Sequence, residues 1–359
     1  MRVQEKAPGK LYLAGEYAVV EAGYPALIAA MDQYITVTAE KSESGRLYSS
    51  QNPSLVLAWK RESGQLSFSM KHPYASIESA MRTAETYAVE QGCSAQGHYH
   101  LSVDSELDHA ETGTKYGLGS SGAVTVAVIK SLLAYYGLSK HPLVIYKLAV
   151  LAQMKLEMTG SFGDIAASSF GGVIAYSSVN RTWLSQAMAR QSIKELVDSE
   201  WKNLEIRAVQ LPMSIQLMVG WTGASASTDQ LVQQMTSSLN KTEKEGAHVS
   251  FLEASKNCVE FILSSCQDND LQGFAKGILE NRQLLQEFSQ AMGLVIETPL
   301  LKTLCEVASR HGAPAKTSGA GGGDCGICFV AQPLMRSAIA QEWSQKGIQP
   351  LTISIAPRA

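Results

Sequence analysis

Lys115-Tyr116-Gly117-Leu118-Gly119-Ser120-Ser121-Gly122 is the most informative segment of the chain, and it stands directly before an apolar run without proline. Glycines at this spacing let backbone amides converge, and the helix predicted over 123–136 adds the positive end of its dipole. The segment therefore favours an anion. No Gly-Lys-Ser/Thr sequence ends the loop, which excludes the Walker pattern. A dinucleotide site is disfavoured too, because no Asp or Glu occurs between Gly122 and Glu157.

Three side chains around these glycines favour a site that binds phosphate and metal over a turn that binds no ligand. Lys115 adds a cation on one side. Ser120 and Ser121 place hydroxyls at the helix start, where one could cap the helix and the other could bind Mg²⁺ or a phosphate oxygen. Capping alone, in a tight connection without a ligand, stays open as the alternative.

A second glycine-rich segment, Lys316 to Gly326, holds five glycines in eleven residues. It stands between a helix predicted over 300–311 and an apolar strand predicted over 325–330. Flexible linkers are also rich in glycine, but they join domains, whereas this segment lies inside a helix-to-strand connection. We interpret it as a ligand-facing loop.

A third segment, Lys6 to Val19, lies near the start of the sequence. Lys10 directly precedes an apolar strand predicted over 11–14, which would hold its ammonium near the protein body. From this segment alone, a lysine that extends from a strand end into solvent is the simpler interpretation.

The composition is that of a globular chain. Its 359 residues correspond to roughly two domains. Hydrophobic residues make up 45% of the chain and charged residues 18%, and this balance excludes a wholly disordered protein. The net charge of −3 gives no global positive field for nucleic acid or an anionic membrane. No apolar run could cross a bilayer, and residues 1–9 lack the apolar core of a signal peptide, so we expect a soluble, cytoplasmic protein. The sequence leaves the oligomeric state open.

The order of predicted elements gives an α+β chain in two parts. Strands predicted over 206–211 and 215–219 would open a second domain, so the boundary is placed at 205, which divides the chain into 1–205 and 206–359. Other elements are predicted over 35–39, 77–91, 98–103, 142–158, 173–176, 183–201, 230–238, 250–265, 271–292 and 352–355.

The three segments, taken in this order, resemble the motifs of the GHMP kinase superfamily, and the resemblance spans nearly the whole chain. It implies a two-domain fold with the active site in the cleft between an N-terminal nucleotide-binding domain and a C-terminal ferredoxin-like α/β domain. Gly160-Ser161-Phe162-Gly163-Asp164 and Gly220-Trp221-Thr222-Gly223 are similar to members that act on 5-phosphomevalonate. Mevalonate kinases and galactokinases usually carry histidine after the glutamate of the first motif, where this chain has Tyr17.

The resemblance implies transfer of the γ-phosphoryl group of ATP to the phosphate of 5-phosphomevalonate, with Mg²⁺. It assigns Lys10 and Asp164 as catalytic, and Ser121, which cannot be separated from Ser120, as the metal ligand. The residues implied to bind ATP are Lys115, Gly117, Leu118, Gly119, Ser120 and Ser121. Those implied to bind the acceptor are Lys10, Ser161, Asp164, Ser227 or its neighbour Ser225, Gly319, Ala320 and Gly321.

The role of Asp164 has two interpretations. In related kinases the matching aspartate pairs with the lysine matching Lys10 and is often assigned as general base. A phosphomonoester has its second pKa near ~6 and is already largely deprotonated at neutral pH, so it needs little help from a base. We therefore expect Asp164 mainly to position Lys10 and the acceptor.

Several signals are given a structural interpretation. Cys325 and Cys328 have CxxC spacing, but no second pair lies near them in sequence, so we assign packing and expect all six cysteines to be free thiols. His98 and His100 share a face of a predicted strand, and a partly exposed sheet face is favoured over a metal site. Lys6 remains open between a supplier of charge to the site and a solvated surface residue.

Two competing functions remain. Another GHMP kinase with an alcohol acceptor, such as a mevalonate kinase, would share the same motifs. A non-catalytic sensor of the same fold would bind nucleotide and metabolite without turnover, although the presence of both Lys10 and Asp164 argues against it.

Overall fold

The structure is a computed structural model that describes residues 1–95, 97–109, 113–223 and 241–359, without the side chains of 241–244. A large first sheet contains β1 (Arg2–Ala14), β2 (Pro25–Ser42), β3 (Gly45–Ser49), β4 (Leu57–Glu62), β5 (Gln65–Phe68), β6 (His98–Ser105), β7 (Val173–Ser177) and β8 (Glu205–Val209). Its helices are α1 (Ala75–Glu90), α2 (Ser120–Tyr135), α3 (Pro142–Met154), α4 (Gly163–Phe170), α5 (Arg181–Met188) and α6 (Ile193–Asp198), with a short 3₁₀ turn at Ala18–Val20.

The long strand β2 organises the first sheet, whose strand order is β5-β4-β3-β6-β2-β7-β8. Its first half pairs with β7 and its second half with β6. Along its other edge it pairs with β1, from Ala14 opposite Leu27 to Arg2 opposite Glu40. The end of β1, which carries the first motif, therefore lies deep in the molecule.

Helix α2, which follows the glycine turn, is surrounded by β1, β2, α1, α3 and α4. Its residues from Ala123 to Leu133 are mostly buried, and α3 is buried to a similar degree. The absence of acidic residues between Gly122 and Glu157 follows from this position, because an unpaired carboxylate in the interior is costly.

A second, antiparallel sheet has the order β10-β11-β9-β12. It contains β9 (Gln216–Trp221), β10 (Ala315–Thr317), β11 (Cys325–Val330) and β12 (Gln349–Leu351), with α7 (Lys241–Gln267), α8 (Leu271–Met292), α9 (Pro299–Arg310) and α10 (Pro333–Gln345). One face packs Val219 and Ile327 into the large core shared with the first sheet, and the other packs Met218 against Leu304 and Trp343. The α+β, two-part architecture agrees with the expectation from the sequence.

The division of the chain at 205 stays a prediction, but one argument for it is wrong. The sequence places the strand at 206–211 in the second domain, whereas β8 pairs with β7 in the first sheet, Ile206 opposite Tyr176. The chain passes from the first sheet to the second between Val209 and Gln216. A strand pattern marks a strand without showing which sheet edge it joins.

Other boundaries also differ from the sequence pattern. The helix predicted over 142–158 ends at Met154, and 183–201 forms the two short helices α5 and α6. The strand predicted over 352–355 is irregular, because this segment leaves the second sheet and bonds to the first, where Ile355 bridges to Met31. The helix predicted over 230–238 lies outside the described residues.

Candidate active site

A cleft of about 730 Å³ lies where the three glycine-containing segments meet. Its walls are the end of β1, the glycine turn before α2, the loop before α4 and the turn after β10. The predicted site residues that line it are Lys10, Lys115, Gly117, Leu118, Gly119, Ser120, Ser121, Ser161, Asp164, Gly319 and Ala320. Residues more than 300 positions apart in the sequence thus share one cavity.

The glycine turn has a conformation that requires glycine at two positions. Gly117 and Gly119 have φ of 80° and 75°, which L-residues other than glycine rarely adopt. A Cβ at Gly117 would lie 2.4 Å from Cγ of Asp324, and one at Gly119 would lie 3.0 Å from Cε of Lys10. Gly119 is the N-cap of α2, so neither Ser120 nor Ser121 stands at the capping position. In the first turn, the amide of Gly122 interacts with the Asp164 carboxylate.

Lys10 is held against this turn by two hydrogen bonds. Its Nζ donates to the carbonyl of Gly117 at 3.0 Å, and its backbone amide donates to the carbonyl of Leu118 at 2.8 Å. Alternation along β1 buries Leu11 and Leu13 in the core and turns Lys10 with Tyr12 towards the cleft. The strand therefore sets the direction of the ammonium.

Asp164 lies in the first turn of α4 and its carboxylate packs against the start of α2. Ile165 donates its amide to Oδ1 at 2.9 Å, and a Cβ at Gly122 would lie 2.5 Å from Oδ2. Burial raises the pKa of this carboxyl above its usual value, while the positive charge of Lys10 and the neighbouring amides oppose the rise. Both side chains are described, and no ion pair joins Lys10 to Asp164. The direct pairing that the resemblance implies is thus absent here, and the two groups interact through space.

The loop before α4 is fixed by side chains below the cleft. Ser161 shares a hydrogen bond of 2.9 Å between its Oγ and the hydroxyl of Tyr12. The Arg181 guanidinium donates to the carbonyls of Gly160 at 2.7 Å and Met158 at 2.6 Å. Ser161 therefore faces the cleft with its hydroxyl already oriented.

The two serines of the glycine turn differ in their surroundings. The Oγ of Ser121 has a contact of 3.5 Å from Nε2 of Gln153, at the limit of a hydrogen bond, and its carbonyl accepts from Thr125 at 2.8 Å. Lys115 is exposed at the mouth of the cleft. Both the hydroxyl and the ammonium are in place to reach a bound anion.

Four cleft residues carry contacts that our sequence-based assignment left out: Tyr12, Glu16, Tyr17 and Asp324. Tyr12 could have been found, since it shares the face of β1 with Lys10 at a spacing of two. Glu16, Tyr17 and Asp324 lie beyond strand ends, and the 63° φ of Tyr17 and 52° φ of Asp324 show irregular backbone that no period reveals. Their placement depends on the meeting of the two sheets.

Some predicted residues are not brought to the cleft. Gly321 packs against Ile296 instead, where an added Cβ would lie 2.3 Å from a backbone oxygen. Ser225 and Ser227 lie outside the described residues. Lys6 stands over the ring of Tyr34 at 3.9 Å from its centroid, away from the cleft.

The cysteines and the two histidines that we interpreted as structural lie in packed positions. All six cysteines are free, and Cys325 and Cys328 belong to the cores on opposite faces of the second sheet. The His98 ring lies tilted against the Trp59 ring, with centroids 5.3 Å apart, and His100 shares a hydrogen bond of 2.9 Å with Ser42. Among the described residues, no group of three or more His, Cys, Asp and Glu side chains could hold a metal ion.

None of the helices in the described part combines the length and the apolar character that a bilayer crossing requires.

Comparison with known proteins agrees with this geometry. A family model for the GHMP kinases N terminal domain matches residues 77–172, and a model for the GHMP kinases C terminal matches residues 262–349. The chain is 35% identical to the phosphomevalonate kinase of Streptomyces sp. strain CL190, over 98% of this chain and 96% of that protein. It is 27% identical to the mevalonate kinase of Thermococcus sibiricus, over 99% of this chain and 97% of that protein.

A solved structure of the Streptococcus pneumoniae phosphomevalonate kinase, in complex with phosphomevalonate and AMPPNP, superposes with a TM-score of 0.84 at 28% identity. The match covers 99% of this chain and all of that chain. The motifs, the cleft between the two sheets and the matches to both family models lead to one conclusion: the chain belongs to the GHMP kinase family.

Proposed function

We propose that the chain transfers the γ-phosphoryl group of ATP to the phosphate of (R)-5-phosphomevalonate and so forms 5-diphosphomevalonate and ADP. The observation that carries the proposal is the meeting of the glycine turn, Lys10 and Asp164 at one end of α2. The Streptomyces relative supports the choice of acceptor, since this chain covers nearly all of it at 35% identity.

The glycine turn suits the nucleotide phosphates. The positive end of the α2 dipole lies at the cleft, which Gly117, Gly119 and both serines of the turn line. Lys115 at the mouth adds a positive charge. We assign the triphosphate of ATP to this turn.

Two anionic reactants must be held in line, and the cleft supplies charge for this. The ammonium of Lys10 has one hydrogen bond to Gly117, which leaves further donors for the transferring phosphoryl group and the acceptor. Ser161, Gly319 and Ala320 also line the cleft, and we place the acceptor beside them. The two substrates then meet at Lys10.

Asp164 serves mainly as a positioning group in this proposal. The acceptor oxygen of a phosphomonoester is largely deprotonated at neutral pH, because its second pKa lies near ~6. The carboxylate is fixed by the Ile165 amide, and its charge acts on Lys10 across Gly119, where a Cβ would lie 3.3 Å from Cβ of Asp164. It orients the ammonium without taking a proton.

The residues of the cleft fit Mg²⁺, which the family implies. The ion prefers oxygen ligands and keeps several waters and phosphates, so it does not need a cluster of protein carboxylates. The Ser121 hydroxyl, which has a contact of 3.5 Å to Gln153, would hold it next to the phosphates. When bound, Mg²⁺ neutralises charge on the phosphates.

An acceptor panel tests the proposal. Purified protein is given ATP and Mg²⁺ with phosphomevalonate or with unphosphorylated mevalonate, and ADP is followed in a coupled assay. Formation of ADP with phosphomevalonate but not with mevalonate supports the proposal. ADP formed with mevalonate instead would indicate an alcohol acceptor, and no ADP with either would favour a binding protein without turnover.

A further inference from the structure

A buried ion pair joins the first motif to the third. Glu16 lies just beyond β1 and is 2% exposed, and Lys316 lies in β10 and is fully buried. The Lys316 ammonium donates to Oε1 of Glu16. The pair thus crosses from the first sheet to the second at the wall of the cleft, which Glu16 lines.

Contacts around the pair fix the turn that follows β10. The Lys316 ammonium also donates to the carbonyl of Thr317 at 2.6 Å, and the amide of Gly319 donates to the same Oε1 of Glu16 at 3.4 Å. Beside them, the hydroxyl of Ser318 donates to the carbonyl of Tyr12 at 2.9 Å. Successive residues of the turn are therefore tied to the end of β1.

One further contact extends this attachment into the cleft. The hydroxyl of Tyr17 donates to the carbonyl of Ala320 at 2.5 Å. A Cβ at Gly319 would lie 3.8 Å from Nζ of Lys10, so the turn runs beside the ammonium that we place between the substrates. A displacement of the turn would change the space next to Lys10.

A contribution to the stability of the fold does not by itself explain the ion pair between Glu16 and Lys316. Burying two charges is costly, and well-packed apolar residues in their place are often as stable or more stable. Oε2 of Glu16 is buried, and within the described residues it has no hydrogen-bond partner, which adds to the cost. A costly arrangement at the wall of a cleft suggests a role in the site.

We infer that Glu16 and Lys316 are positioning residues that hold the turn from Ser318 to Ala320 against Lys10 and so shape the acceptor side of the cleft. This inference rests on the proposed function for the identity of the acceptor, but the placement of the turn does not depend on it. The glycine turn also has contacts that do not involve the pair, because the carbonyls of Gly117 and Leu118 accept hydrogen bonds from Lys10.

The test compares Lys316→Met with Arg61→Met as a matched control. Arg61 pairs with Glu85 at 2.8 Å, is also largely buried, and lies outside the residues that line the cleft. Each substitution leaves a carboxylate in the interior without its cation, so both lower Tm. Lys316→Met raises the KM for phosphomevalonate by about tenfold, equivalent to about 1.4 kcal/mol, while the KM for ATP stays within about twofold. Arg61→Met changes neither KM.

A double variant separates positioning from stability and covers the case in which Lys316→Met fails to fold. Adding Glu16→Gln to Lys316→Met removes the stranded charge, so Tm recovers, but the ammonium that held Thr317 is still missing and the KM for phosphomevalonate stays raised. If the double variant has the KM of the wild type for both substrates, the pair only contributes to stability and the inference is overturned.

Hydrogen exchange of the ligand-free protein gives a readout that needs no acceptor. Backbone amides of residues 317–323 exchange faster in Lys316→Met and in the double variant than in the wild type and Arg61→Met. Unchanged exchange in this segment overturns the inference. A wild type that makes no ADP from phosphomevalonate would overturn the proposed function instead, and the exchange result would still decide the role of the pair.

Discussion

Two opposing effects set the pKa of the Asp164 carboxyl. Burial is the larger one and raises it, whereas the charge of Lys10 and the amides of Ile165 and Gly122 lower it. A general base acts when deprotonated, so its loss on acidification would give an acidic limb in kcat, and a raised pKa would move that limb towards neutral pH. A group that positions Lys10 through its charge also loses this effect when it is protonated, so the wild type must be compared with a variant that has no carboxyl.

Asp164→Asn is therefore expected to lower kcat by roughly 10²–10³-fold at every pH, as expected for loss of a fixed charge in a site. The acidic limb that belongs to ionisation of the acceptor phosphate persists, because the substitution does not change the acceptor. The measurement is kcat against pH for both proteins. Disappearance of the acidic limb in the variant would show that ionisation of Asp164, and not of the acceptor phosphate, limits kcat, which contradicts this expectation.

Gly122 gives a second prediction about the same carboxylate. A Cβ there would lie 2.5 Å from Oδ2 of Asp164, so Gly122→Ala pushes the carboxylate out of place although alanine suits a helix. We expect kcat to fall by about 10²-fold with little loss of Tm, since small displacements in a site are that costly.

Gly246→Ala is the control for this prediction. Gly246 lies in helix α7 with nothing within 4 Å of an added Cβ, so the same substitution should stabilise by up to about 1 kcal/mol and leave kcat unchanged. Equal kcat in Gly122→Ala and the wild type would contradict the placement of Asp164 against α2.

Among the elements of the fold, the segment after β12 shows how a small number of backbone hydrogen bonds can attach one sheet to another. Ala356 donates its amide to Ala30 at 2.9 Å and accepts from Gly172 at 3.1 Å, and Ala359 donates to Phe170 at 2.9 Å. These bonds return the chain from the second sheet to the middle of the first. The segment thus contributes to the attachment of the two sheets.

Ala356→Pro removes the amide that bonds to Ala30 and is expected to lower the free energy of unfolding by about 1–3 kcal/mol, as for a buried acceptor left without its donor. Ala356→Gly keeps that amide and is expected to cost about 0.5–1 kcal/mol. Denaturant unfolding of both variants makes the comparison. Equal losses would mean that the hydrogen bond does not hold the segment.

This segment also shows where sequence reasoning about elements succeeds and where it does not. Helix α8 has the predicted bounds of 271–292, because its apolar face repeats regularly and Asp270 caps its start. The alternation in 352–355 predicts a strand of the second sheet, but these residues bond to β2 of the first sheet, at Met31 and Asp32. A local period indicates that one face is buried, and it does not identify the partner.

In the molecule as a whole, the candidate site depends on two sheets that each contribute one wall. The glycine turn was identified from the sequence because a glycine run before a buried helix is typical of an anion site, whereas Lys10 was assigned through the family resemblance. Glu16 and Lys316 were not assigned to the site, since a charged residue at a strand end is usually solvated and its partner lies 300 positions away. Only the fold reveals that both are buried together.

The proposed function depends on the same two walls, because the acceptor must enter between them and present its phosphate to the γ-phosphoryl group. The reaction with ATP, Mg²⁺ and phosphomevalonate can be followed by ³¹P NMR, which identifies the bond that forms. We expect loss of the phosphomonoester signal and a pair of mutually coupled diphosphate resonances from the product, beside those of ADP. A product with only uncoupled phosphomonoester signals, which places the new phosphoryl group on a hydroxyl, would contradict a phosphate acceptor.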